Sequence, residues 1–208
     1  MASVHGQRVL EAGERLQSAR AAMILVHGRG ATAEDIMTIA SEVQRPGFAY
    51  LAPQAPGNAW YPNPFTAPLE SNQPNLDEAL QTLAGLVFRV EAHVPAHRTI
   101  LLGFSQGACL TLEFAARNAR RYGGVVGLSG GLIGPPDTPR DYAGALEGTP
   151  VFLGCSDVDP YIQKDRVLDA AQVFKRMGAE VTVRFYPGMA HTVSVEEVAM
   201  VAAIVESV

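Results

Sequence analysis

The sequence predicts an α/β protein with an open, mostly parallel sheet of about seven strands, helices on both faces and no large lid domain. Along the 208 residues, short apolar runs alternate with longer stretches of helical period, which is the pattern of strand–helix–strand units. Several of the short runs are almost continuously aliphatic, as in strands buried on both faces. With 48% hydrophobic and 18% charged residues, the chain can bury one core, so we expect residues 1–208 to form a single domain.

The strands are predicted where aliphatic or β-branched residues run together between turn residues. They lie near Arg8–Glu11, Ala22–His27, Phe48–Ala52, Thr99–Gly103, Val125–Leu128, Val151–Cys155 and Val181–Tyr186.

The helices are predicted between these strands, where apolar residues recur with helical spacing. They lie near Ala33–Val43, Leu76–His93, Gln106–Asn118, Ile162–Met177 and Val195–Glu206. Thr32 with Asp35 three residues later forms a capping box for the first helix. Gly178 ends the fourth helix, because glycine readily adopts the left-handed conformation that follows a helix.

Charge and composition exclude several classes of protein. Sixteen basic against 21 acidic residues leave a net charge of −5, which argues against nucleic-acid binding. The longest apolar run, Val198–Val205, has eight residues and is too short to span a bilayer. The N-terminus lacks the layout of a signal peptide. Cys109 and Cys155 lie in apolar stretches and indicate neither a disulfide framework nor a metal site. We therefore expect a cytoplasmic protein without a membrane span.

The pattern Gly-x-Ser-x-Gly, typical of a nucleophile elbow, occurs at Ser105 and again at Ser129. Ser105 follows an apolar strand and precedes a good helix, as an elbow requires. Ser129 also follows a strand, but the glycines and prolines after it prevent a helix from starting there. Ser105 is therefore the predicted nucleophile, and Ser129 is expected at the rim of the site.

A serine hydroxyl needs a base and an orienting acid, and in elbow proteins these follow in the order serine, acid, histidine. Among the five histidines, this order selects His191, which lies in a loop directly after a strand. Asp157 and Asp159 both qualify as the acid. Pro160 favours an extended conformation at Asp159, whereas Asp157 suits a local turn.

A tetrahedral intermediate also needs an oxyanion hole, which is often two backbone N–H groups. The residue after the nucleophile, Gln106, is one expected donor. Arg29, in the glycine-rich turn after an early strand, is the other. Its side chain is expected to face solvent or to meet an acidic group on the substrate.

The segment Pro53–Asn75 is rich in proline and carries three aromatic residues, Trp60, Tyr61 and Phe65. A long loop in a compact domain is usually functional or disordered, and the aromatic residues favour function. We expect it to form a wall of the substrate pocket, because ligands bind beyond the carboxyl ends of the strands in open α/β sheets. Alternatively, the rings pin the loop onto the sheet.

The chain resembles the phospholipase/carboxylesterase family of small α/β-hydrolases, which includes bacterial carboxylesterases and acyl-protein thioesterases. The matching motifs are His27–Gly30, Gly103–Gly107, Asp157–Pro160 and Tyr186–His191. The resemblance implies the α/β-hydrolase fold and a triad of Ser105, Asp159 and His191. It places the acid at the fifth position of a His-Gly-x-x-Asp motif, although here Cys155 and Ser156 replace the His-Gly pair.

The predicted function is hydrolysis of a small-molecule carboxylic ester, with a short- to medium-chain or aryl substrate and no cofactor. The same triad handles thioesters and lysophospholipids, so an acyl-thioesterase or lysophospholipase is an alternative. A hydrolase fold kept only for binding is a second alternative, since fold alone does not guarantee activity. The resemblance also suggests a homodimer.

Overall fold

The computed structural model describes residues 3–4 and 7–208. Its strands are β1 (Ser3–Val4), β2 (Gln7–Gly13), β3 (Ala21–Val26), β4 (Phe48–Pro53), β5 (Thr99–Phe104), β6 (Gly124–Leu128), β7 (Pro150–Ser156) and β8 (Glu180–Tyr186). Its helices are α1 (Ala33–Glu42), α2 (Asn75–Glu91), α3 (Gln106–Arg117), α4 (Lys164–Arg176) and α5 (Val195–Ser207). Every predicted strand and helix is present, with ends that differ by a few residues.

The strands form one sheet in the order β1-β2-β4-β3-β5-β6-β7-β8. β2 pairs antiparallel with β1 and β4, and the remaining neighbours are parallel. The prediction of a mostly parallel sheet of about seven strands is confirmed. The additional strand is β1, two residues long and outside the predicted strands.

Helices cover both faces of the sheet, and they bury its central strands on both sides. In β3, Ile24 and Val26 pack in the cluster formed with α2, α3 and α4. The alternating residues Met23 and Leu25 pack in the cluster formed with α1 and α5. This two-residue alternation is the geometry of an extended strand, and it divides the core into two layers.

The predicted helix signals are also confirmed. Thr32 and Asp35 form the reciprocal capping box of α1, and α4 ends just before Gly178, which has a φ of +82°. A second capping box, Ser194 with Glu197, starts α5 and was not predicted. Within the described ranges, no helix is long and apolar enough to cross a membrane.

The parallel strands direct the loops after β3, β4, β5, β7 and β8 to one edge of the sheet. The loops at this edge carry Arg29, the Pro53–Asn75 segment, Ser105, Asp159 and His191. The candidate site therefore lies where ligands bind in open α/β sheets.

Candidate active site

Ser105 lies on a sharp turn between β5 and α3. Its φ of +55° and ψ of −120° are uncommon for a residue with a side chain. The two flanking glycines make the turn possible. A Cβ at Gly103 would lie 2.3 Å from the Gly107 carbonyl oxygen, and a Cβ at Gly107 would lie 2.1 Å from the Val26 carbonyl oxygen. The motif thus has the strained strand–turn–helix conformation of a nucleophile elbow.

Three side chains form a hydrogen-bonded chain at this turn. His191 Nε2 lies 2.8 Å from Ser105 Oγ, and His191 Nδ1 lies 2.7 Å from Asp159 Oδ2. An ionised carboxylate can only accept, so Nδ1 carries the ring proton and Nε2 accepts from the serine hydroxyl. The arrangement can draw a proton from Ser105 as the hydroxyl attacks a carbonyl carbon.

The Asp159 carboxylate is held from both sides. Its Oδ1 accepts hydrogen bonds from the backbone N–H groups of Tyr161, at 2.9 Å, and Ile162, at 3.0 Å. Burial is the largest single influence on its pKa and raises it. The hydrogen bonds from His191 and the two N–H groups together outweigh burial and lower the pKa below its ordinary value. Asp159 is therefore ionised at neutral pH and orients the imidazole.

Asp157, the other candidate acid, has a different partner. Its Oδ1 accepts the backbone N–H of Gly188 at 2.8 Å. Gly188 belongs to the loop that carries His191, so Asp157 braces this loop instead of contacting the imidazole.

Two aromatic rings enclose the imidazole of His191. The Phe104 ring lies tilted against it and the Tyr161 ring meets it edge-on, each with a centroid separation of 5.0 Å. Tyr161 is 65% exposed, so it covers the imidazole from the solvent side. Tyr161 was not predicted to contact His191, although its position two residues after the candidate acid Asp159 could have indicated this.

The two expected oxyanion donors both have free backbone N–H groups. In the part of the chain that the structure describes, neither Arg29 N nor Gln106 N has a protein acceptor. Gln106 N lies in the first turn of α3, where helix N–H groups lack intrahelical partners. Both residues line the same cavity as Ser105. Free N–H groups there can stabilise a negatively charged oxygen.

The side chains of Arg29 and Gln106 form hydrogen bonds with the loop after β4. The Arg29 guanidinium donates to the carbonyl oxygens of Tyr61, Pro62 and Asn63 at 2.9, 2.9 and 3.0 Å. The Gln106 amide donates to Tyr61 O at 2.8 Å and accepts from a backbone N–H of the same loop at 2.9 Å. The Arg29 side chain is also exposed, as expected, and lines the cavity beside Ser105; its hydrogen bonds to the loop were not predicted. It ties the turn after β3 to the loop after β4.

The cavity beside Ser105, called here the first cavity, has a volume of about 820 Å³, within the range of about 300–1,000 Å³ typical of small-molecule pockets. Tyr61 and Phe65 line it, as predicted for the Pro53–Asn75 loop, together with Cys109 and Ile162. Burial raises the pKa of the Cys109 thiol to about 12. This thiol stays protonated and is therefore a poor nucleophile.

Two predicted pocket residues lie elsewhere. Trp60 is 3% exposed, its Nε1 donates to His27 O at 2.8 Å, and its ring packs against the His27 ring. It pins the loop onto the sheet, which was the alternative interpretation. Ser129 follows β6 as predicted, but it is completely buried and does not reach the rim of the cavity.

A strand–serine–helix elbow on a mostly parallel sheet defines the α/β-hydrolase class. Residues 8–208 match the family model described as Phospholipase/Carboxylesterase. The chain belongs to this family.

Two curated relatives of the chain have the same name. The chain is 28% identical over 218 residues to "Acyl-protein thioesterase 1" of Candida albicans, which covers 92% of this chain and 93% of that protein. It is 34% identical over 125 residues to the protein of the same name from Debaryomyces hansenii, a match that spans 59% of this chain and only 54% of that protein.

A solved phospholipase/carboxylesterase from Dyadobacter fermentans superimposes with a TM-score of 0.93, at 39% identity and with 99% of each chain covered. The structure of SOBER1 from Arabidopsis thaliana has a TM-score of 0.76 at 19% identity, with 90% of this chain and 98% of that chain covered. The latter likeness concerns the fold.

Proposed function

We propose that this protein is a serine carboxylesterase that cleaves short- to medium-chain or aryl esters through Ser105, His191 and Asp159. The observation that carries the proposal is the hydrogen-bonded chain from Ser105 Oγ through the imidazole to Asp159. Membership of a hydrolase family supports the same chemistry.

The proposed reaction has two steps. His191 Nε2 takes the proton of Ser105 as Oγ bonds to the acyl carbon, and the N–H groups of Arg29 and Gln106 bind the resulting oxyanion. The tetrahedral intermediate collapses, the bond to the leaving oxygen breaks, and His191 returns the proton to that oxygen. In the second step, water loses a proton to His191 and attacks the acyl carbon; the bond from that carbon to Ser105 Oγ breaks, Oγ takes the proton back from His191, and the acid is released. Asp159 orients the imidazole and stabilises its charged form throughout.

Thioester cleavage is a second candidate. It is favoured by the curated relatives, which are named acyl-protein thioesterases, and the same nucleophile and oxyanion donors would serve it. The two candidates differ in the leaving atom, so direct competition between an ester and a thioester of the same acid separates them.

The test is a panel of nitrophenyl esters graded from acetyl to dodecanoyl, run beside the matching acyl-thioesters. An esterase gives higher kcat/KM for the oxygen esters of short and medium acids, after allowance for their intrinsic reactivity. A consistent preference for thioesters would favour the second candidate. Absence of turnover for every substrate, with a folded protein, would favour the binding-only alternative.

The single domain, the homodimer and the cytoplasmic location stay predictions. Sedimentation equilibrium of the purified chain tests the homodimer, and one cooperative unfolding transition is expected of a single domain.

A further inference from the structure

A second cavity, of about 610 Å³, opens beside His191 on the side of the sheet covered by α1 and α5. Its walls are residues 31–42 of the α1 region and the segment 192–198 that leads into α5. Among the described residues, His191 alone lines both cavities. The imidazole therefore stands between two spaces, of which only the first contains Ser105 and the two oxyanion donors.

The second cavity adjoins the turn that carries Ser105. Gly28 and Phe104 line it. A Cβ at Gly28 would lie 3.3 Å from Ser105 Cβ, so Gly28 packs directly against the nucleophile turn and a side chain there would crowd it. The Phe104 ring packs against the imidazole. Three residues that border the reacting serine or imidazole, Gly28, Phe104 and His191, therefore also line the second cavity.

The acyl part and the alcohol part of an ester must occupy different positions during acylation. The acyl carbon and its oxyanion must lie at Ser105 and the two N–H donors, which line the first cavity. The leaving oxygen must lie near His191 Nε2, because this nitrogen returns the proton to it. Building on the proposed esterase function, we propose that the second cavity binds the alcohol or thiol part of the substrate.

The lining of the second cavity indicates which leaving groups fit. Its walls include aliphatic and aromatic side chains, namely Ile36, Ile39, Phe104, Val193, Val195 and Val198. Val195 is 87% exposed at the start of α5, which places a large apolar side chain in contact with solvent where a ligand would cover it.

The charges in this cavity are negative. Asp35 and Glu42 line it, and within the described residues no lysine or arginine does. Hydrogen bonds from Thr32 lower the pKa of Asp35, so its carboxylate is ionised at neutral pH. Apolar leaving groups that are neutral or cationic are therefore favoured, whereas thiols that carry phosphate groups are repelled.

The test blocks the second cavity with Thr38→Trp, a change at an exposed lining residue on α1. Ser41→Trp is the matched control, since Ser41 is exposed on the same helix and lies outside the lining. With 2-naphthyl acetate, Thr38→Trp should lower kcat/KM by about tenfold or more, as expected for a lost apolar subsite. Ethyl acetate, whose leaving group is small, should be affected much less, and the control should leave both substrates unchanged.

Separating the two chemical steps makes the test specific. Every acetate ester gives the same acetyl-enzyme, and the alcohol has departed before deacylation begins. Thr38→Trp should therefore slow acylation by 2-naphthyl acetate and leave the deacylation rate unchanged. A slower deacylation would show that the change acts on something other than the leaving group, and a shift in acyl-length preference would assign the second cavity to the acyl chain; either result would overturn the proposal. Equal ratios of naphthyl to ethyl kcat/KM in wild type and Thr38→Trp would also overturn it.

Two further measurements complete the design. Glu42→Lys should raise kcat/KM for a sulfonated naphthyl acetate relative to the uncharged ester, and no change in this ratio would contradict the charge argument. Binding of 2-naphthol to the Ser105→Ala protein, measured by fluorescence, does not depend on turnover. If the wild type hydrolyses no ester, the proposed function fails, but 2-naphthol binding still tests the second cavity. Loss of 2-naphthol binding on introducing Thr38→Trp would support the proposed cavity, and unchanged binding would refute it.

Discussion

Asp159→Asn is the perturbation whose outcome the hydrogen bonds define most closely. Oδ1 of Asp159 accepts from the N–H groups of Tyr161 and Ile162, and only the carbonyl oxygen of an asparagine can replace it there. The NH₂ group must then occupy the position of Oδ2, 2.7 Å from His191 Nδ1. Because NH₂ donates, Nδ1 must become the acceptor and the ring proton must move to Nε2.

An imidazole with its proton on Nε2 cannot accept the hydroxyl proton of Ser105. The corresponding change in a serine protease lowers kcat about 10⁴-fold for this reason, and we expect a loss of the same order here. Each factor of ten corresponds to about 1.36 kcal/mol, so the expected loss of transition-state stabilisation is about 5.4 kcal/mol.

The assay is kcat for nitrophenyl butyrate, combined with ¹⁵N NMR of the histidine ring to identify the tautomer. Asp157→Asn is the matched control. Its new carbonyl oxygen can still accept the Gly188 N–H that Asp157 Oδ1 now accepts at 2.8 Å, so only a small loss is expected. Equal losses in the two variants, or near-normal turnover of Asp159→Asn with the Nε2–H tautomer, would refute the reasoning.

Three other variants test the pocket wall and the core. Trp60→Ala should cost about 3–5 kcal/mol of stability, seen as a lower Tm, while the ranking of acyl lengths stays the same; a changed ranking would restore Trp60 to the cavity wall. Arg29→Met keeps the backbone donor but removes three hydrogen bonds to the loop, so KM for medium-chain esters should rise, and an unchanged KM would show that the loop holds its shape unaided. Burial raises the pKa of Glu197, so this carboxyl stabilises the fold below its ordinary pKa and loses that contribution as pH rises through the raised value. Glu197→Gln should flatten this decline in urea melts at several pH values and increase stability at neutral pH; a parallel pH profile would contradict the assignment.

Local sequence patterns were sufficient to predict most of the secondary-structure elements. The capping box at Thr32 and Asp35, the elbow glycines around Ser105 and the glycine after α4 all act within a few residues. Their conformations follow from short-range sterics and hydrogen bonding. For this reason the predicted elements could be placed in order before the sheet was known, and the carboxyl ends of the strands located the candidate site.

The features that the sequence did not predict are contacts between residues far apart in sequence. The Arg29 guanidinium binds carbonyl groups more than 30 residues away, and no local pattern indicates such a partner. Trp60 and Tyr61 are adjacent in sequence, yet only Tyr61 lines the first cavity. Neither hydropathy nor proline content distinguishes a ring that faces a pocket from one that faces the core. Ser129 ends a strand as Ser105 does, but tight packing around it leaves it fully buried.

The identity of the nucleophile is tested most directly by labelling with a fluorophosphonate, followed by peptide mapping of the adduct. We expect one adduct on Ser105, whose Oγ contacts His191 Nε2, and loss of both labelling and ester hydrolysis in Ser105→Ala. The loss of turnover should be on the order of 10⁶-fold, as in subtilisin. An adduct on any other serine, or full turnover by Ser105→Ala, would contradict the proposed mechanism.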